Sequence, residues 1–400
     1  CTSSTNQVCS ACASGYYLSG NTCLPLATLT VAPSPFVIYV GGQTASLSIT
    51  NTSASLTLEN LQVNLPPSFT EVTQDATACA SLTPAATCTL RFTAWRAYDP
   101  VTVTVTGTNA ASATLALAVA APIVTNGTVF ALADDPSTTR MYLGGDFTLA
   151  GPLSGSAVPI DTGTGLTVAG SPIVRGDVSA VVADGSGGVY LGGSFTQVGS
   201  FVVSRLAHIN ADGTVDRAFH PGPNGDVRAL VRDGTTLYAG GSFSSVGADA
   251  RESLAAIDTT TGTVTSFHVA TNGNVRSLAV KDSTLYVGGF FTSVGGQARS
   301  ALAAVDKTSG AVVAGFQPDP DGSVRGIVVT DTTLYVAGLF FNIGGQPRQF
   351  VAEIDRATGV ATAFNPPGPG ASLESIALDG TTLYVGGFFQ SVGGAGRKYL

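Results

Sequence analysis

Four hundred residues at 44% apolar content exceed what a single core needs, so two or three domains are expected. Only 11% of the residues are charged, with 18 Lys+Arg against 26 Asp+Glu, and a net charge of −8 argues against a surface that tracks nucleic-acid phosphates. Forty-nine glycines with one Met and one Trp describe short strands and tight turns, an all-β composition. The longest apolar run, Leu115 to Val124, is about half of what a bilayer-crossing helix requires, so no membrane span is expected.

Residues 1–25 read Cys1-x7-Cys9-x2-Cys12-x10-Cys23 around Gly15-Tyr16-Tyr17-Leu18, a stretch too short to bury a core. It resembles the small disulfide modules of furin-like and growth-factor-receptor-like surface proteins, and the resemblance implies paired cysteines. Two other readings stay open: Cys9-x2-Cys12 has the spacing of half a thiolate zinc site, and Cys1 has the position of a lipid-bearing first residue. All six cysteines, 1, 9, 12, 23, 79 and 88, fall in the first quarter of the chain. That distribution fits an oxidising compartment, and with a start inside a cysteine module it places the expected N-terminus upstream or at a cleavage site. The expected localisation is extracellular, at a cell surface.

Residues 26–121 change to period-two alternation, as in Leu47-Ser48-Ile49-Thr50, Val101-Thr102-Val103-Thr104-Val105 and Leu115-Ala116-Leu117-Ala118-Val119. Alternation of this kind builds strands with one dry and one wet face, and seven or eight of them predict a β-sandwich. Cys79-Ala-Ser-Leu82-x5-Cys88-Thr-Leu90-Arg-Phe92 resembles the Hydin-like immunoglobulin-type domains of bacterial surface proteins. The resemblance implies a disulfide between Cys79 and Cys88 before an edge strand, and a spacer role.

Residues 122–400 are a repeat. Tyr142-Leu-Gly-Gly-Asp-Phe147, Tyr190-Leu-Gly-Gly-Ser-Phe195, Tyr238-Ala-Gly-Gly-Ser-Phe243, Tyr286-Val-Gly-Gly-Phe-Phe291, Tyr335-Val-Ala-Gly-Leu-Phe340 and Tyr384-Val-Gly-Gly-Phe-Phe389 recur every 48 or 49 residues. One copy holds four strand-like pieces, Val275–Val280, Thr284–Phe291, Ser300–Asp306 and Val312–Pro318, the content of a propeller blade. The order of features resembles kelch repeats, and more closely the bacterial delta-60 type in which Leu-Tyr-Val-Gly-Gly-x-Phe and Phe-x-Pro recur. The resemblance implies a β-propeller of six blades, or seven. The last copy covers two strands and the start of a third; Val119–Val124 is the predicted outer strand of that blade, with the missing strand supplied by further chain or by a neighbouring molecule.

The repeated residues have structural explanations. Gly-Gly pairs allow close backbone approach. Asp161, Asp258, Asp306 and Asp355, with Asn210, precede Thr-Gly or similar turns and are predicted to cap them. His220 and His268 occupy positions held by Gln317 and Asn365 in later copies, which points to hydrogen-bonding struts, and His208 reads as a satisfied strand histidine. Asp319-Pro-Asp321-Gly322 is a fragment of a calcium loop without its remaining ligands. Arg175-Gly176-Asp177 is predicted in an exposed loop, and Asn51 and Asn126 head formal glycosylation sequences.

Arg228, Arg276 and Arg325 follow the first valine of the innermost strand in three consecutive copies, where the others carry Phe130, Ser179 and Glu374. Inner strands surround a propeller's channel, so these arginines are the candidate ligand patch for an anion or acidic glycan. No His-Glu-x-x-His, Gly-x-Ser-x-Gly or phosphate-loop sequence occurs, and no catalytic residue, cofactor or metal is expected. The sequence reads as a non-enzymatic structural or adhesive surface or appendage protein whose partners are copies of itself, surface proteins or glycans. The alternatives are a subunit of an extracellular filament joined by β-strand exchange, and a propeller hydrolase or lyase acting on extracellular polysaccharide at the arginine-lined mouth.

Overall fold

The structure is a computed structural model that describes residues 16–19, 22–39, 44–94, 98–120, 126–147, 155–163, 166–168, 170–368, 370–389, 391–392 and 395–396. The chain divides into two compact units, residues 1–124 with 161–167 and residues 125–160 with 168–400. Ahead of the first core, Tyr16–Ser19 and Thr22–Pro25 pair as an antiparallel hairpin. Pairing among Cys1, Cys9, Cys12 and Cys23 lies outside the described residues.

The first unit packs two four-stranded sheets. One runs in the order Leu29–Ala32, Ala45–Asn51, Thr87–Ala94, Val72–Asp75; the other runs Phe36–Tyr39, Ala113–Ala120, Tyr98–Thr106, Gln62–Asn64. Alternation decides which faces meet: Leu47, Ile49, Leu90 and Phe92 from the first sheet and Phe36, Ile38, Val103, Val105, Leu115 and Leu117 from the second form one buried cluster. Phe36 and Phe92 meet edge to face across it, with ring centroids 5.2 Å apart. Cys79 and Cys88 form a disulfide with Cα atoms 5.3 Å apart. The strand that follows Cys88 is interior, paired on both sides, and not the edge strand expected. Val119 and Ala120 belong to the strand Ala113–Ala120 of this unit, so they do not build the outer strand of the last repeat; residues 121–124 lie outside the described residues.

In the second unit, six successive antiparallel sheets follow one another among the described residues. Their innermost strands are Val129–Asp135, Val178–Ala183, Val227–Asp233, Asn274–Lys281, Ser323–Val329 and Leu373–Asp379. Each pairs with the strand that carries the repeated tyrosine, and in five of the sheets a third strand ending in Asp or Ile follows. Every inner strand carries a bulge immediately after its first apolar residue, as between Val227 and Ala229. The bulge turns the next residue out of the inter-sheet core and toward the axis.

The two glycines of each pair act differently. A Cβ on Gly241 would fall on the Asp226 carbonyl oxygen of its own sheet, whereas a Cβ on Gly240 would fall on Val275 of the next. Among the described residues the predicted fourth strand is built only in the first sheet, as Leu166–Thr167. Val312 makes a single bridge to Val305, and the same is true of Val264 with Ile257 and Ala361 with Ile354. In its place, small hairpins stand between the second and third strands, such as Ser293–Val294 with Gln297–Ala298. The arginine after each hairpin holds the outer segment: Arg299 donates to the carbonyls of Ala298 (2.7 Å) and Ala314 (3.3 Å), and Arg348 to those of Pro347 (2.8 Å) and Thr362 (2.7 Å). A buried guanidinium thus replaces ladder bonds that a segment ending in Phe-x-Pro cannot make.

Candidate functional site

The bulges bring Phe130, Ser179, Arg228, Arg276, Arg325 and Glu374 together around one cavity of about 590 Å³. The three candidate arginines are therefore neighbours at the axis. Their electrostatic situations differ. Arg228 donates at 3.1 Å to Asp226, the residue just before its own strand, and Arg325 is hydrogen-bonded to Glu374 of the next sheet. Arg276, between them, has no hydrogen-bonding or ion-pairing partner among the described residues. Burial, and then the neighbouring Arg228 charge, pulls the Arg276 guanidinium below its ordinary pKa; burial and the Arg276 charge do the same to Arg325. The Nε atoms of Arg228 and Arg325 are buried without a partner.

A second pattern runs beside the arginines. The residue after the Gly-Gly position, which is Ala337-Gly338 in the fifth copy, is Asp146, Ser194 and Ser242 in the first three copies and Phe290, Leu339 and Phe388 in the last three. Phe290 and Phe388 are each 68% exposed and Leu339 is 43% exposed. Phe388 lines the arginine cavity, Phe290 pairs with Asn274 two residues before Arg276, and Leu339 pairs with Ser323 two residues before Arg325. The mouth thus has a cationic arc with an apolar rim on the same side, a pattern legible only once the six copies are aligned past the glycines.

The other predicted residues are structural. Asp258 accepts from the Thr260 and Thr261 amides, Asp306 from Thr308 and Ser309, and Asp355 from Ala357 and Thr358, at 2.7 to 3.1 Å. Asp321 accepts from the Phe341 and Asn342 amides and is spent on that loop, not on a calcium site. His268 bonds Glu252 at 3.2 Å as a strut, while His220 is exposed. His208 is buried, stacked on Tyr190, and bridges Asp184 (3.0 Å) and Asp216 (3.1 Å), two carboxylates that sequence reasoning did not connect to it. Arg175, Gly176 and Asp177 are exposed as expected. Asn51 is not a glycan acceptor: it is fully buried, and its amide donates to the Leu56 and Leu82 carbonyls.

A bulged inner strand, a tyrosine strand closed by a glycine pair, and radial repetition of that unit define a β-propeller repeat protein. A family model described as "Domain of unknown function (DUF5122) beta-propeller" matches residues 185–219, the span from the second tyrosine strand to Phe219. No curated protein matches the chain. Among solved structures, the computationally designed Ika8 protein is similar at 14% identity and a TM-score of 0.45, over 69% of this chain and 76% of that one. The computationally designed Ika4 protein is similar at 13% identity and a TM-score of 0.31, over 41% of this chain and 87% of that one.

Proposed function

We propose that the protein is a non-enzymatic extracellular binding protein. Its kelch-like propeller, of six or seven blades, serves as a rigid disc that takes an anionic ligand at the arginine mouth. An immunoglobulin-like spacer and a cysteine-rich module precede the disc, as in surface or appendage proteins. The observation that carries this reading is Arg276, a half-buried cation flanked by two others and lacking the carboxylate that each neighbour has. In a chain of net charge −8, a single uncompensated guanidinium between two paired arginines is a site for a ligand's negative group. The guanidinium fork suits a carboxylate or sulfate, and the exposed Phe290, Leu339 and Phe388 beside it suit the apolar face of a sugar ring. An acidic saccharide meets both requirements.

Titration calorimetry with an oligouronate and with a neutral oligosaccharide of the same length tests the proposal. Binding of the acidic ligand alone, weakened by added salt and lost in Arg276→Gln while the unfolding midpoint is unchanged, is the expected result. Equal binding by Arg276→Gln, or no preference for the charged ligand, overturns it.

A further inference from the structure

We infer that the ring is left open between its last and first sheets for one more copy of the same repeat, which supplies the mates of both walls. The junctions already formed show what those mates are. The first glycine of each pair, Gly144, Gly192, Gly240 and Gly288, faces the leading valine of the next sheet, Val178, Val227, Val275 and Val324, so closely that a Cβ would clash. Gly326 receives Ile376 of the following sheet in the same way. Each junction is thus a receptor face of small residues filled by an inserting pair, a valine or leucine and the apolar residue three positions on.

Both halves of that contact are present at the seam and neither is satisfied. Ala180, Ala229 and Ser277 are buried on receptor faces at 6 to 8% exposure, but their counterpart Ser375 is exposed, as is Ala377. On the opposite wall, Val178, Val227, Val275, Val324 and Leu373 are fully buried, whereas Val129 is only partly covered. Leu132 is 61% exposed, where its counterparts Val181, Leu278 and Ile327 are each at 9% and Leu230 and Ile376 are partly buried. Ser375, Ala377 and Gly386 face the axial cavity of about 590 Å³ together with Val129, Leu132 and inner-strand residues of the second, third and fourth sheets, and the last and first inner strands lack the close packing that joins every other neighbouring pair.

The geometry gives the reason. Junctions built from equivalent residues turn through similar angles, and a ring of six closes only if that angle is about one-sixth of a turn. Five junctions are made here and the sixth is not, so the angle is smaller and a wedge remains. The repeat fits that wedge: its Val-x-x-Leu would seat against Ser375 and Gly386, and its Tyr-Val-Gly-Gly strand would cover Val129 and Leu132. This inference is independent of the anion site, since it concerns inter-sheet packing and not the arginines.

Two measurements test it. In the chain of 400 residues, Leu132→Cys with Ser375→Cys should join through a long flexible bis-maleimide and fail to join through a short one; efficient joining by the short reagent would mean that the ring closes on itself and would overturn the inference. Second, residues 303–365 are fused after Leu400, which completes the last sheet and adds one repeat in register. Peptide-resolved maleimide labelling at Leu132→Cys and at Ala377→Cys, one on each wall, should then slow at least tenfold relative to the unfused chain. Unchanged labelling at both positions, or protection in the unfused chain that grows with protein concentration and so marks a second copy as occupant, overturns it.

Discussion

Arg348 Nη2 donates to the Thr362 carbonyl at 2.7 Å while its Nη1 holds the carbonyl of Pro347 at 2.8 Å, so one side chain fastens the outer segment of its sheet to the small hairpin beside it. Arg299 makes the same pair of contacts one repeat earlier, and Arg251 does so two repeats earlier with Ala250 and Thr265. With Arg348 only 8% exposed, Arg348→Ala leaves two carbonyls without a donor in a site that water reaches poorly. We expect a loss of about 2 to 3 kcal/mol in urea unfolding. Arg348→Lys should recover little of it, because a single ammonium cannot span both acceptors; full recovery by lysine would show that charge rather than the fork matters.

His208 is packed under Tyr190 and placed between Asp184 and Asp216. Burial alone would raise the Asp184 carboxyl, yet hydrogen bonds from Ser186, His208 and Gly188 hold it below the usual carboxylate range. Removing the ring in His208→Ala strands two poorly solvated carboxylates. The expected cost is about 3 to 4 kcal/mol at neutral pH, read from the denaturant midpoint. A variant within about 0.5 kcal/mol of the parent would mean that the cluster relaxes to solvent.

The turn-capping aspartates predict how stability depends on pH. Backbone and side-chain bonds from Thr261 hold Asp258 below its usual 3.8, those from Ser309 do so for Asp306, and those from Thr358 for Asp355. A carboxyl with a depressed folded pKa binds fewer protons folded than unfolded. Its stabilising contribution is therefore complete above the ordinary carboxylate pKa and is lost as pH falls through the lower folded value. Midpoints measured from pH 6 down to pH 2, a range of roughly four units, should decline on the acid side. Asp306→Asn should flatten that decline without lowering the neutral-pH midpoint by much; an unchanged slope would remove Asp306 from the account.

Reduction of Cys79–Cys88 should act on the sandwich alone. The short closed loop is worth about 2 to 3 kcal/mol in the chain-entropy picture. Calorimetry with and without reductant should show one transition shifted down and the propeller's transition in place. A shift of both would mean that the two units unfold as one.

Much of the fold was legible because repetition and alternation are one-dimensional signals. The tyrosine spacing located each sheet, the glycine pairs marked the close approaches, and Leu47-Ser48-Ile49-Thr50 announced its buried face. The outer strand was misread because Val312–Pro318 has strand-like composition, whereas its backbone is held by an arginine that follows a different hairpin. The edge-strand and Asn51 readings failed for a related reason: neither strand order in a sheet nor the burial of an asparagine that donates to Leu82, 31 residues away, is written in local sequence.

At the candidate site the same division holds. Residue type at a repeat position is a linear fact, so the arginine after the valine in three consecutive repeats, and Phe290, Leu339 and Phe388 after Gly-Gly, Ala-Gly and Gly-Gly in the last three, are read directly along the chain. That a bulge turns those arginines to one axis, that Asp226 and Glu374 neutralise two of them, and that Arg276 is left without a counter-charge emerges from packing. Asp226 lies two residues from Arg228, but the Arg325–Glu374 pair and the lack of a carboxylate at Arg276 depend on distances between strands brought together by packing, which no spacing along the chain encodes.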